Sequence, residues 1–195
     1  MPSEKFRRGP APWALLALAL AVVAGCRERA VGSAAAHAAA PAASAAARCL
    51  PSRDGYLRAR LRGAHNLDVD WQDAQMQCDG GLRPDGKGIR VTFAGRAADH
   101  PLRFVFGITA PADAGAASDV PANVTVIFEG QGELYSTQGN ERCTVDELQL
   151  QPVSGRGGLE RVVARGFCIA NATAVGSADG VLISRFDFAG MFTQP

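Results

Sequence analysis

Three arginines at every second position, Arg58, Arg60 and Arg62, form the most pronounced charged pattern in this chain. At period 2 they project from one face of an extended strand, and guanidinium groups in such a row are suited to carboxylate, sulfate or phosphate groups. Asp68-x-Asp70 follows closely. If residues 56–62 and 66–72 pair across a turn at Gly63–Asn66, Arg60 falls opposite Asp68 and Arg58 opposite Asp70. The row is then either an anionic-ligand face or a salt-bridged sheet face, and this register favours the second. The same carboxylates could instead open a calcium site.

Residues for acid, base or nucleophilic chemistry are scattered. Beyond residue 48 the only histidines are His65 and His100. Asp99 and His100 are adjacent, which on a strand sends them to opposite faces. The chain contains no G-x-S-x-G, no H-E-x-x-H and no phosphate-cradling glycine loop. No cofactor is expected, and no catalytic residue is assigned. A formal net charge of +1 argues against a nucleic-acid partner. The segment 111–122 (PADAGAASDVPA) is long for a hairpin connection, and such loops often carry binding, although a plain Ala-rich insertion accounts for it slightly better.

The elements that must position these residues read as β. Leu57, Ala59 and Leu61 alternate with arginines; Leu67, Val69 and Trp71 with aspartates; Ile89, Val91 and Phe93, and then Leu102, Phe104, Phe106 and Ile108, do the same. Further strands are expected at 123–129, 133–138, 142–151, 159–169 and 181–189, separated by turn residues such as Pro84-Asp85-Gly86 and Gly130-Gln131-Gly132. Some eight to nine strands predict an all-β fold, an antiparallel sandwich or partly open barrel. The inward phase shifts from odd (Leu67, Val69, Trp71) to even (Ala74, Met76, Cys78), which a bulge or bend near Gln72-Asp73 would reconcile. Phe-x-Gly recurs at Phe93, Phe128 and Phe188, and reads as a core aromatic followed by a strand-ending glycine turn.

Cys49, Cys78, Cys143 and Cys168 are an even set. A hairpin centred on Gly155-Arg156 makes the numbers of opposed residues sum to 311, which sets Cys143 against Cys168, Asp146 against Arg165 and Leu148 against Val163. Directly opposed Cα atoms lie within disulfide reach. Cys49–Cys78 follows by elimination. A zinc site built from all four cysteines is disfavoured because no two of them have close ligand spacing, so no metal is assigned.

The N-terminus carries Lys5, Arg7 and Arg8, then an uncharged apolar run from Trp13 to Ala24, then Val23-Ala24-Gly25-Cys26. Twelve apolar residues fall short of the ~20 that a spanning helix needs. The junction resembles the lipobox of bacterial lipoproteins. That resemblance covers the first 26 residues only and implies cleavage after Gly25 and acylation of Cys26, which would anchor the protein in a lipid bilayer. Arg27 stands where an inner-membrane retention aspartate sits in enteric members, so the outer membrane is favoured. Residues 1–25 are thus expected to be a signal peptide, and 26–48, Ala-rich and broken by Gly32 and Pro41, a flexible tether. As a coil, about 22 residues would span roughly 25 Å. Residues 49–195 remain as one disulfide-stapled domain. The functional expectation is an envelope lipoprotein serving as a non-enzymatic module for an envelope protein or anionic polymer; the alternative is an envelope-associated hydrolase.

Overall fold

The computed structural model describes residues 49–139 and 142–194. The expected signal peptide, Cys26 and the tether lie outside them. Among the described residues there are twelve strands, all paired antiparallel: β1 Tyr56–Gly63, β2 Leu67–Gln72, β3 Met76–Leu82, β4 Ile89–Ala97, β5 His100–Ile108, β6 Ala116–Ala117, β7 Val120–Phe128, β8 Glu133–Ser136, β9 Cys143–Pro152, β10 Leu159–Cys168, β11 Ala172–Ala174 and β12 Gly180–Thr193. The all-β antiparallel expectation holds, with more strands than the eight to nine read from periodicity. The additions are β3, which carries the paired glycines Gly80-Gly81, and the short β6 and β11, too brief to show any period. Among the described residues no helix is long and apolar enough to cross a membrane.

The 14-residue β12 organises the sheet. It pairs with β1 along one edge, and with β10 and β11 along the other. The path β7–β8–β11–β12–β10–β9 returns to β7 through a β7–β9 ladder, so the sheet closes on itself there. From this ring β1–β2 extend off β12, and β5–β4–β3 extend off β7. The two extensions lie over one another. Phe93 on β4 and Phe106 on β5 meet Phe186 and Phe188 on β12 with ring centroids 4.7–5.0 Å apart, across strands that do not pair. Large apolar side chains from strict alternation fill the interlayer space, which explains why Leu57, Leu61, Ile89, Phe93, Phe104, Phe106, Phe186 and Phe188 are fully buried.

The phase shift after Trp71 arises from a 3-10 turn, Asp73–Gln75, that carries the chain from β2 to β3. Met76 resumes the buried phase while Ala74 is exposed. Asp73 is buried because its carboxylate accepts the backbone N–H of Leu50 at 2.9 Å, fastening the start of the domain. The Phe-x-Gly reading needs correction. Only Gly130 ends its strand with a positive φ (84°). Gly95 and Gly190 lie within strands and leave room for aromatic rings: a Cβ at Gly95 would stand 3.0 Å from the Trp71 indole, and one at Gly190 2.6 Å from Phe93.

Both disulfides form as expected, Cys49–Cys78 and Cys143–Cys168. The β9–β10 register begins as derived, with Cys143 opposite Cys168, but slips by one between Arg165 and Gly166. Asp146 and Glu147 are consecutive exposed residues of β9, so this is a bulge. Arg165 therefore faces Glu147 rather than Asp146, and Leu148 faces Ala164 rather than Val163. The 111–122 segment is not a free loop. It contributes β6 against Gln149 and Leu148 and the start of β7 against Cys143–Val145, covering the open edge of β9.

Candidate functional site

The arginine row lies where the alternation placed it, on the solvent face of β1. β2 supplies Asp68 and Asp70 in the expected register. What the sequence did not reveal is the strand on the other side: β12 sets Asp187 beside Arg58 and Arg185 beside Arg60. Arg58, Arg60, Asp68, Asp70, Arg185 and Asp187 line an open groove of about 380 Å³, with the core residues Ala59 and Val69 between them. Nothing local marks Arg185 as part of this face, since β1 and β12 come from opposite ends of the domain.

Two charge rows cross the groove. The first runs over five strands as Asp70, Arg58, Asp187, Arg165 and Glu147, alternating in sign at each step. Arg58 Nε lies 3.3 Å from Asp70 Oδ1, and Arg165 is ion-paired to Glu147. Asp187 accepts a 2.8 Å hydrogen bond from the Tyr56 hydroxyl. Burial, reinforced by that bond to a carboxylate, pushes the Tyr56 phenol up to about 12. The Arg58 guanidinium also sits over the Tyr56 ring, 4.9 Å from its centroid. The second row is Asp68, Arg60 and Arg185. Asp68 is shared: Arg62 lies at 2.8 Å and Arg60 at 3.5 Å. The hydrogen bond from Arg62 is the main reason the Asp68 carboxyl is held below the ordinary carboxylate range, with charge attraction to Arg62 and Arg60 adding to it. Arg185 is exposed and has no ion-pair partner among the described residues. Exposed pairs of this kind contribute about 0–1 kcal/mol each, so the face is not an essential support of the fold.

Asp68 and Asp70 do not join a metal cluster: among the described residues no group of three or more His, Cys, Asp or Glu side chains is placed to hold an ion. The two domain histidines go to separate places. His100 is exposed and its Nδ1 lies 3.0 Å from Gln131 Nε2. His65, in the β1–β2 turn, contacts Glu133 Oε2 through Nε2 at 2.7 Å and stacks on Phe128 at 3.9 Å. The Tyr135 hydroxyl donates to the same Glu133 oxygen at 3.1 Å. These bonds, His65 first and Tyr135 second, hold the Glu133 carboxyl below its usual range, while burial raises the Tyr135 phenol. Sequence reading missed this cluster because its members lie 68 residues apart. It docks the β1–β2 turn onto β7 and β8. A His–Glu pair could serve as a general base, but among the described residues the one hydroxyl bonded to it is the Tyr135 phenol, which donates to the carboxylate.

The most site-like feature is thus a solvent-open charged face on rigid strands, and its geometry suits binding. Compared with protein-family models, curated proteins and solved structures, the chain matches none.

Proposed function

We propose that this protein is a lipid-anchored envelope module that binds, rather than transforms, its partner, and that the groove between β2, β1 and β12 is its contact face. The observation that carries this reading is the arrangement of that face. Four arginines and three aspartates project from three adjacent strands, next to the half-buried Tyr56, whose ring carries the Arg58 guanidinium. Guanidinium groups and Tyr rings are the side chains most often found at the energetic centre of binding surfaces. In this reading acylation of Cys26 holds the module at a membrane, with the outer membrane favoured by Arg27, and the Ala-rich segment to residue 48 gives it reach. An envelope protein or an anionic envelope polymer is the partner class.

The test is site-directed photocrosslinking in cells. A photoreactive side chain replacing Gln72 or Ser184, both on this face, should give a discrete adduct. The same group at Thr92, on the outer side of β4, should not. Adducts of equal yield from all three positions, or none from the two on the face, would overturn the assignment.

A further inference from the structure

We infer that Arg60 and Arg185, with Arg62 behind them, form a seat for one oxyanion, a carboxylate or phosphate group of the ligand. This rests on the reading of the groove as a binding face and specifies what it recognises. The sequence pattern gave the three arginines of β1 equal standing; the structure separates them. Arg58 has a carboxylate on each side, Asp70 on β2 and Asp187 on β12. Its row contains three carboxylates and two guanidinium groups, and is already saturated with negative charge. The adjoining cluster has the opposite balance. Arg60 and Arg62 share the single carboxylate of Asp68 and Arg185 stands beside Arg60 unpaired among the described residues, an excess of two positive charges.

Within that cluster Arg60 and Arg185 are direct cross-strand partners. Like charges in this relation repel, and a sheet ordinarily sets an opposite charge or a neutral side chain there. Asp68 lies on the far side of Arg60, with its closer contact to Arg62, which leaves the space above the Arg60–Arg185 pair open to solvent. The β1–β12 register is broken at this point: Arg60 faces Arg185, but Leu61 faces Ile183, so Ser184 is the extra residue of a bulge. Its hydroxyl donates to the Arg60 carbonyl at 3.4 Å. Bulges re-aim the adjoining side chain, and here that side chain is Arg185. An oxyanion bridging the two guanidinium groups would convert a repulsive pair into two charge-assisted hydrogen-bond donors. On the same face, β10 presents Phe167, exposed at 38%; its register with β12, extended one step past Gly166–Phe186, sets that ring beside Arg185, where the apolar part of a ligand could rest.

Calorimetric titration of the full-length protein at low salt tests the seat, with tetragalacturonate, its neutral methyl ester and inorganic phosphate as probes. Tetragalacturonate should bind and the ester should not. Phosphate binding as tightly as the oligomer would identify a free ion as sufficient; weaker phosphate binding would assign the remainder to contacts with the sugar. Arg185→Gln should weaken binding about tenfold or more, the loss of one charge-assisted contact. Arg58→Gln should weaken binding less than Arg185→Gln does, since Arg58 already has a carboxylate on each side. Asp68→Asn should tighten binding, because it releases Arg60 and Arg62, and a purely structural role for the carboxylate does not predict that sign. Equal losses from Arg58→Gln and Arg185→Gln, weakening by Asp68→Asn, or no binding of either anion would overturn the seat. Crosslinking from Gln72 and Ser184 without anion binding would leave the contact face standing and reject only the oxyanion.

Discussion

Replacing Gly190 by alanine should be among the most damaging single-methyl changes in the protein. Gly190 lies in the second half of β12, and a Cβ there would stand 2.6 Å from Phe93 Cζ, 3.1 Å from Phe93 Cε1 and 3.0 Å from Val91 Cγ1. Carbon atoms rest about 3.5–4.0 Å apart, so the ring must withdraw by about 1 Å. It has nowhere to go: Phe93 is fully buried, with Phe188 at 5.0 Å and Phe106 at 6.0 Å between centroids. Overpacking of this kind costs about 1–3 kcal/mol. Taking about 2 kcal/mol, the melting temperature should fall by about 4–8 °C for a domain of this size. Guanidinium titration with both disulfides intact measures the loss directly. Phe93→Leu alone should cost about 1–2 kcal/mol, for the lost packing of part of a buried ring. In the double mutant the smaller side chain accommodates the new methyl, so the two costs should fall short of additivity by about 1 kcal/mol or more. Gly157→Ala, whose Cβ would meet nothing within 4 Å, is the control and should change stability by less than about 1 kcal/mol. Gly190→Ala with wild-type stability, or a strictly additive double mutant, would refute the view that β12 and β4 meet in close contact.

Other outcomes follow from other parts of the structure. Both tyrosines, Tyr56 and Tyr135, have phenols raised above the ordinary range, so spectrophotometric titration should place both ionisations above that of free tyrosine; Asp187→Asn should bring the Tyr56 phase, at about 12, downward. Because that folded-state pKa is raised, the associated stability is fully present below about pH 10 and is lost as pH rises through about 12. The Glu133 carboxyl is depressed, so its contribution is present above the ordinary carboxylate range and is lost as pH falls below it; Glu133→Gln should flatten the acid limb of a stability–pH curve. Opening Cys143–Cys168, which closes a loop of 25 residues, should cost about 3–4 kcal/mol in the chain-entropy treatment, measurable by denaturation of the Cys143→Ala/Cys168→Ala protein. Cys26→Ala should abolish incorporation of labelled palmitate in cells; undiminished labelling would reject the lipid anchor.

Local alternation made much of the domain legible. The period-2 runs located the long strands, because each has one face in the core and one in water. The β1–β2 register and both disulfide pairings could be read because hairpin geometry ties sequence spacing to spatial opposition. That same rule stops at a bulge, since one extra residue at Asp146 moves every later pair of β9 and β10 by a step. The β4–β5 hairpin escapes turn chemistry altogether. Its two-residue loop, Ala98-Asp99, has positive φ at both positions without the usual Asn-Gly signature. Ala98→Asn should accordingly stabilise the protein by about 0.5–1 kcal/mol. The candidate site was half visible. Arg58, Arg60 and Arg62 stand out because they are neighbours on one strand. Arg185 reaches the groove through pairing between residues more than a hundred positions apart, which no local spacing encodes.

The place of β12 in the sheet has a consequence for how the chain comes into being. Of the twelve strands described, the one that leaves the ribosome last is inserted between β1, the first of them to emerge, and β10. Until it arrives, β1 has only β2 beside it, and the aromatic rings of β4 and β5 lack the surface they close upon. Folding of the domain must therefore wait until residue 193 has emerged. During that interval an apolar, strand-prone chain is exposed and open to chaperones, proteases and its own neighbours. A nascent chain stalled before residue 180 would be degraded or held by a chaperone rather than left as a shorter, working domain.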